Sequence, residues 1–328
     1  MRNLWCKIFL LLVSCVALAQ AKQDFFVQGN QLYDQAKYLE AIKYYRAAIA
    51  EGQFEPFAWF NLGNSLVQIG KNNIAMVAYR RSAELAPKFV RPWLLLGDLY
   101  FTHADYGLAI ASYKRARELG EGSEHLHYAM AECYRQLGEH TLAQKEYEQV
   151  LKLNQDRIDC WYALAEIQEK LEDYSEAVRV LRQAIQLTPA AGADAFFYLA
   201  YLQLQRDSIP QGISALEDGL LLNPGNQMAR RHLASLYVDQ GSPWMSIFTL
   251  EQGLSPQGAP PDRDLQVDLG QIYFDQTRYP EALEHFIQAW KLGSTQGRIG
   301  AENVGNAFFN AGDSLQADEA YRRVRMKQ

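Results

Sequence analysis

Few side chains in this sequence have the type and spacing that catalysis or metal binding requires. His125 and His127 lie two residues apart, and on a helix that spacing points the imidazoles away from each other, which makes them a poor metal pair. A lone histidine also needs an oriented partner before it acts as a general acid or base. The sequence contains no nucleophile elbow, phosphate-binding glycine loop, HExxH motif or EF-hand loop. We therefore expect no enzymatic activity, no cofactor and no metal site.

Two cysteines remain once the N-terminal segment 1–21, which holds Cys6 and Cys15, is set aside. Cys133 and Cys160 match no CxxC or metal-ligand spacing. In an oxidising compartment they could pair if their Cα atoms came within about 7 Å, which the spacing does not decide. We favour two buried free thiols.

The first 21 residues have the three-part layout of a secretory signal peptide. Arg2 and Lys7 precede an apolar run over 8–18, and Ala-Gln-Ala follows at 19–21. A run of this length is too short to span a bilayer, which takes about 20 apolar residues, and no later segment reaches that length. We expect cleavage after Ala21 and export, with the mature protein working in a bacterial periplasm.

A second interpretation of the same segment stays open. Leu12-Val13-Ser14-Cys15 resembles a bacterial lipobox, in which the cysteine becomes the lipidated first residue of an outer-membrane lipoprotein. Against this interpretation, the apolar run continues past Cys15, where lipoproteins usually turn polar. The alternative function is then a lipid-anchored accessory of a polysaccharide export, secretion or cell-wall machine.

The charge balance argues against a nucleic-acid partner. Removal of residues 1–21 would take away two of the 32 basic residues and none of the 38 acidic ones, which leaves a net charge of −8. No basic tract longer than a pair such as Arg80-Arg81 occurs, so the electrostatic footprint of a nucleic-acid-binding protein is missing.

Small residues recur along the chain with a period close to 34. One series of recurring positions, called the first ladder, holds only glycine or alanine. A second ladder of small residues lies twelve residues later in each period. A ladder of large apolar residues, which starts with Tyr45, Tyr79 and Tyr113, follows four residues after that. A helix breaker recurs between the first two ladders, for example at Gly70 and Gly138. Each period is therefore predicted to be a helix, a short turn and a second helix. The first ladder consists of Gly29, Gly63, Gly97, Ala131, Ala165, Ala200, Ala234, Gly270 and Gly305.

These residues match a known repeat family. Trp93, Leu96-Gly97 and Tyr100, followed by Ala109 and Tyr113, resemble the tetratricopeptide repeat pattern W-x2-L-G-x2-Y…A-x3-F. The pattern weakens in places, with His127 or Arg230 where the tryptophan belongs. The resemblance predicts an all-α solenoid superhelix of about nine helix-turn-helix units. The predicted units span residues 22–55, 56–89, 90–123, 124–157, 158–191, 193–226, 227–260, 263–296 and 298–328.

The small ladders have a physical explanation that does not depend on the family name. A helix of about 14 residues is marginal alone in water, so stability must come from stacking each unit on its neighbours. Glycine in a helix costs about 1 kcal/mol relative to alanine, and we expect close helix packing to offset that cost. Leucine in place of Gly97 would overpack the crossing.

The resemblance also places a candidate binding surface. In the family the first helix of each unit lines a concave groove, and repeat positions 2, 5, 9 and 12 share one helical stripe. Position 5 is rich in aromatic residues and position 9 becomes acidic in the middle units, which suits an extended protein segment with apolar and basic side chains. An alternative is that these residues only pack or solvate the helices. The candidate groove residues are Phe26, Asn30, Phe57, Phe60, Asn64, Arg91, Asp98, Tyr128, Glu132, Tyr162, Glu166, Phe197 and Tyr201.

Some relatives clamp a peptide carboxylate with five residues of this groove. Asn30, Asn61 and Arg91 fall at three of those positions, but Phe26 and Leu95 occupy the other two and are not cations. We therefore do not expect a carboxylate clamp. The function that the resemblance implies is a non-enzymatic scaffold or adaptor of the cell envelope that binds another protein. The partner and the oligomeric state are not encoded in any motif.

Overall fold

A computed structural model of the protein describes residues 25–52, 54–187, 192–254 and 262–326. Within these ranges the chain forms eighteen α-helices and no strand, in nine successive helix-turn-helix pairs, which confirms the predicted all-α repeat fold. The helices are α1 (25–34), α2 (Tyr38–Ala50), α3 (Glu55–Gln68), α4 (Asn72–Leu85), α5 (Val90–Thr102), α6 (Tyr106–Glu118), α7 (Glu124–Gln136), α8 (His140–Leu153), α9 (Ile158–Lys170), α10 (Tyr174–Leu187), α11 (Gly192–Gln205), α12 (Ile209–Leu222), α13 (Gln227–Asp239), α14 (Pro243–Leu254), α15 (Arg263–Asp275), α16 (Tyr279–Lys291), α17 (Thr295–Asn310) and α18 (Ser314–Arg325).

The chain divides into two compact units, Met1–Cys160 and Trp161–Gln328. In each unit a helix packs against the helices next to it in the sequence, as α3 does against α4 and α15 against α16. The buried core includes the small and large apolar ladders, because each pair of helices covers its apolar face with the next pair.

The glycines of the first ladder are explained by aromatic rings of the same repeat. A Cβ atom on Gly63 would lie 2.5 Å from Cε1 of Tyr79, and one on Gly97 would lie 2.4 Å from Cε1 of Tyr113. Both distances are far inside van der Waals contact, so only glycine lets the ring of the second helix lie on the backbone of the first. The close packing expected at this ladder is therefore a contact between glycine and an aromatic ring. The same arrangement occurs at Gly29 with Tyr45, Gly270 with Phe286 and Gly305 with Tyr321.

The turn within each repeat places one residue in the left-handed region. Gly70 has φ of 71°, and the next residue, Lys71, donates its amide to the Leu66 carbonyl five residues back at 2.8 Å. This is the hydrogen bond that closes a helix in a Schellman motif. Non-glycine residues adopt the same conformation in other repeats, as at Ala104 with φ of 60°. The turn positions are Ala36, Gly70, Ala104, Gly138, Glu172, Asp207, Gly241, Thr277 and Gly312.

Both cysteines outside the N-terminal segment are buried free thiols, as favoured from the sequence. Burial raises the pKa of the Cys133 and Cys160 thiols to about 12. Neither thiol is therefore ionised at neutral pH.

The signal peptide predicted over 1–21, including the lipobox cysteine, lies outside the described residues. Among the described helices, none combines the length and the apolar character that crossing a membrane would take.

Candidate functional site

Polar residues at the ninth repeat position accept hydrogen bonds from the tyrosine ladder. The Tyr79 hydroxyl donates to Asn64 Oδ1 at 2.8 Å, and the Tyr113 hydroxyl donates to Asp98 Oδ1 at the same distance. These tyrosines are buried, and a buried hydroxyl needs a partner. Burial raises the pKa of both phenols, so they remain donors. The same bond joins Tyr45 to Asn30, Tyr147 to Glu132 and Tyr321 to Asn306.

Sequence reasoning missed this role of Asn30, Asn64, Asp98 and Glu132, which it treated only as groove residues. The available signal was the constant spacing of 15 residues between the polar residue and the tyrosine. Each acceptor oxygen has a second lone pair. In two repeats the same oxygen also contacts a side chain from the first helix of the following repeat. Asn61 donates to Asn30 at 2.8 Å, and His125 Nε2 lies 2.9 Å from Asp98 Oδ1.

An aromatic patch, defined here as Phe57, Phe60 and Phe89, lies at the start of α3 and just before α5. The ring of Phe89 is centred 5.2 Å from that of Phe57 and 5.0 Å from that of Phe60. Phe60 is buried, whereas Phe57 is 48% exposed. Its contact with Phe89 holds the exposed ring in place without removing it from solvent.

Phe26 makes the equivalent contact one repeat earlier. Its ring stacks on that of Phe54 at 5.4 Å. Phe54 and Phe89 were not among the predicted residues, although both stand directly before a first helix in consecutive repeats.

Tyr128 lies under a guanidinium. The Cζ atom of Arg157 is 4.3 Å from the ring centre of Tyr128, which is a cation–π contact. The same guanidinium pairs with Asp159, with Nη2 at 2.7 Å from Oδ2, and with Glu124. Its hydrogen bond to Arg157 lowers the pKa of Asp159. The pKa of Glu124 is also lowered, and its own hydrogen bond to Arg157 is the largest cause. Both carboxylates are therefore ionised at neutral pH.

Five carboxylates of α5, α7, α9 and the loop before α7 form an acidic cluster, defined as Asp98, Glu121, Glu124, Glu132 and Asp159. His125 interacts electrostatically with both Asp98 and Glu121. Tyr128 does the same with both Glu132 and Asp159. The arginines that pair with the cluster are Arg135, which binds Glu132 at 2.7 Å, and Arg157. Because the carboxylates outnumber these arginines, the cluster keeps a net negative charge.

Arg91 is exposed and makes no hydrogen bond or ion pair with any residue that the structure describes. The remaining predicted residues belong to the C-terminal unit. Glu166 pairs with Lys170 at 2.7 Å, while Phe197 packs against Gly219, where a Cβ would lie 2.4 Å from its Cε1 atom. Phe197 is thus engaged in packing two helices of its own repeat.

Tyr162 and Tyr201 belong to an aromatic cluster around Tyr198. The Tyr198 ring is 6.3 Å from that of Tyr162 and 6.2 Å from that of Tyr201. Glu169 accepts hydrogen bonds from the Tyr198 hydroxyl at 2.6 Å and the Tyr201 hydroxyl at 2.8 Å. Tyr201 is still 42% exposed, so its ring remains available to a partner.

Comparison with known families identifies the repeat. A tetratricopeptide repeat family model matches residues 26–87, 60–124 and 162–221. A model described as anaphase-promoting complex, cyclosome, subunit 3 matches residues 102–184. No curated protein matches the chain.

Solved structures with the same kind of fold have low sequence identity to the chain. The C-terminal part of a TPR repeat-containing protein from Cytophaga hutchinsonii is 14% identical, with a TM-score of 0.57, and the match covers 72% of this chain and 96% of that one. A tetratricopeptide repeat protein from Parabacteroides merdae is 16% identical, with a TM-score of 0.46 and coverage of 83% and 99%. YrrB, a TPR protein with an unusual peptide-binding site, is 18% identical, with a TM-score of 0.48 and coverage of 56% and 95%.

Proposed function

Because the chain belongs to the tetratricopeptide repeat family, whose repeats are typically non-catalytic scaffolds, we propose that it is a non-enzymatic adaptor that binds an extended protein segment. The binding surface runs along the first helices of the N-terminal repeats. It comprises the aromatic patch, Phe26, Arg91, Tyr128 and the acidic cluster. Tyr162, Glu166 and Tyr201 offer a second surface in the C-terminal unit.

The observation that carries the proposal is the exposed ring of Phe57 held against Phe89. An aromatic ring that stays exposed but is already ordered loses little side-chain entropy on binding, which is the property of an interface anchor. The buried ring of Phe60 packs against the other side chain of the patch, Phe89, and so supports it.

The acidic cluster supports the choice of occupant. Charge complementarity across an interface favours the partner of opposite sign and rejects one of like sign. The occupant is therefore a segment in an extended conformation that carries an apolar side chain for the aromatic patch and lysine or arginine for the cluster. The tyrosine hydrogen bonds hold Asp98 and Glu132 in fixed positions.

A peptide-binding measurement on residues 22–328 tests this function. We expect a synthetic peptide that alternates aromatic and lysine residues to bind, and its counterpart with aspartate for lysine to fail. Phe57→Ala should weaken binding about tenfold, since truncation of an aromatic anchor typically costs more than 1 kcal/mol. The matched control is Ile74→Ala on α4, since Ile74 is 51% exposed and lies on a second helix of a repeat. Equal binding of both peptides, or equal effects of both variants, would contradict the proposal.

We also propose that the protein is exported and acts in the cell envelope. The support is the signal-peptide pattern of Arg2, Lys7, the apolar run 8–18 and Ala21. Fractionation of cells that express the full chain tests it. Release into the periplasm supports export, and retention in the cytoplasm overturns it. Membrane association that is lost in Cys15→Ser would instead support the lipid-anchored alternative.

A further inference from the structure

The fourth residue of the repeat unit differs between repeats, with tryptophan in some and histidine or arginine in others. Trp59 occupies this position in α3 and lines a recess between α2, α3 and α4 of about 300 Å³. The equivalent residue of α13 is Arg230, and the corresponding cavity between α12, α13 and α14 measures about 520 Å³. We call this space the Arg230 cavity.

Arg230 is a buried cation whose partners are neutral. Its side chain is 4% exposed, with Nη1 donating to the Thr249 carbonyl at 3.0 Å and Nη2 donating to the Pro224 carbonyl at 2.7 Å. The Nε–H group is buried and has no hydrogen-bond partner among the described residues. No carboxylate of the described residues forms an ion pair with this guanidinium, and burial lowers its pKa. A buried charge is usually paired, so Arg230 lacks the partner its burial calls for.

Most of the other lining residues are apolar, and the exposed residues Glu217 and Asp218 add two carboxylates. Leu220, Leu233, Met245 and Phe248 line it between α12, α13 and α14. Tyr237 follows Arg230 by seven residues on α13, which corresponds to about 10 Å along the helix axis. There the Tyr237 hydroxyl donates to Glu217 at 2.5 Å. The lining thus combines one buried, unpaired cation with two exposed carboxylates, of which Glu217 is already bonded to Tyr237.

We propose that the Arg230 cavity binds a small ligand that has an apolar body and a single carboxylate. The ligand carboxylate accepts hydrogen bonds from the two N–H groups of Arg230 Nη1 and Nη2 that are not given to Thr249 and Pro224. The apolar body covers Leu233 and Phe248. The volume is within the usual range for small-molecule sites, roughly 300–1,000 Å³. Glu217 at the far end disfavours a second anionic group on the ligand.

Isothermal titration of residues 22–328 with decanoate, below its micelle concentration, tests the site. We expect decanoate to bind saturably at one site. Decan-1-ol, which lacks the charge, and decanedioate, which carries a second carboxylate, should each bind at least about tenfold more weakly than decanoate. Arg230→Gln should weaken decanoate binding by about 10- to 100-fold. The matched control Arg231→Gln should leave it unchanged, because Arg231 pairs with Asp268 on α15 and does not line the cavity.

A second variant keeps the proposal falsifiable if Arg230→Gln does not fold. Met245→Trp fills the cavity from α14 without removing the guanidinium, and it should abolish decanoate binding while the helical circular dichroism spectrum is retained. Decanoate binding that persists in Met245→Trp overturns the proposal. So does the absence of saturable binding to the unmodified chain, or equal affinity for decan-1-ol. These measurements do not involve the aromatic patch, so their failure leaves the proposed adaptor function standing.

Discussion

Tyr113 combines two interactions at the scale of a single residue. Its ring lies on Gly97 and its hydroxyl donates to Asp98, so one side chain joins α6 to two adjacent residues of α5. The glycine costs helix stability on its own, and the packed ring offsets that cost. Four other repeats combine a glycine or alanine, a polar acceptor and a tyrosine at the same positions, so the arrangement is a general feature of the chain and not a local adjustment.

Gly97→Leu should destabilise the protein by about 1–3 kcal/mol or more, because its Cβ alone would lie 2.4 Å from the Tyr113 ring. The control is Gly107→Leu on α6, where an added Cβ meets nothing within 4 Å. There the better helix propensity of leucine should leave stability equal or raised by up to about 1 kcal/mol. Urea unfolding followed by circular dichroism measures both. Equal losses in the two variants would show that the ring contact is not responsible.

His125 should make the stability of the N-terminal unit depend weakly on pH. Its hydrogen bond to Asp98 raises the pKa of the imidazole above its ordinary value. A group with a raised folded-state pKa contributes stability that is complete below the unfolded pKa of about 6.5 and is lost as pH rises through the folded pKa. The side chain is 55% exposed, so we expect solvent screening to hold the contribution below about 1 kcal/mol.

Chemical unfolding at about pH 6 and about pH 8.5 measures this dependence. The unmodified chain should lose more stability over this interval than His125→Gln does. His103→Gln, which removes an imidazole outside the Asp98 pair, should behave like the unmodified chain. A His125→Gln variant with an unchanged pH profile would rule out this pair as the source.

At the scale of helices and turns, every described repeat reverses direction through one residue with positive φ. Glycine adopts this conformation freely, but Ala104 and four other non-glycine residues adopt it too. Left-handed backbone costs an L-residue about 1–2 kcal/mol, so packing of the two helices must hold these turns in place. The turn is thus imposed by the pairing of helices wherever glycine is missing.

Ala104→Gly should therefore stabilise the protein by up to about 1 kcal/mol, because the residue already has a φ of 60°. Ala111→Gly, at an exposed interior position of α6, is the matched control and should cost about 1 kcal/mol. The melting temperatures of the two variants should shift in opposite directions. A shift to lower temperature in both would mean that the turn carries no strain.

At the scale of the whole molecule, the predicted mature chain is acidic, with a net charge of −8 once residues 1–21 are removed. The repeats concentrate part of this charge in the acidic cluster of the N-terminal unit, where two arginines are already paired. For the basic segment that we propose as the partner, long-range attraction would add to the short-range contacts of the aromatic patch.

Binding of the aromatic–lysine peptide should consequently weaken as salt rises. We expect the affinity to fall by several-fold between about 0.05 and 0.5 M NaCl, since the screening length drops from over 10 Å to a few ångströms. A peptide of the same aromatic residues with serine for lysine is the control, and its weaker binding should change little. A salt-independent affinity for the lysine peptide would show that the acidic cluster does not contact it.

The sequence alone determined the repeat. A period of about 34, with small residues, tyrosines and breakers at constant offsets, is readable because helix pairs are local structures and each one repeats the same packing problem. It also predicted correctly that Cys133 and Cys160 are buried thiols, since apolar helical positions enclose them.

Only the tertiary structure decided what individual side chains contact. The tyrosine bonds to Asn64 and Asp98 and the ring of Phe89 against Phe57 join residues from different segments of the chain. The burial of the Arg230 guanidinium without a carboxylate partner likewise depends on how neighbouring helices enclose it. Periodicity shows which face of a helix a residue lies on, but not which atom meets it across the interface. That depends on the distance and rotation between packed helices, and these are set by the summed contacts of both partners.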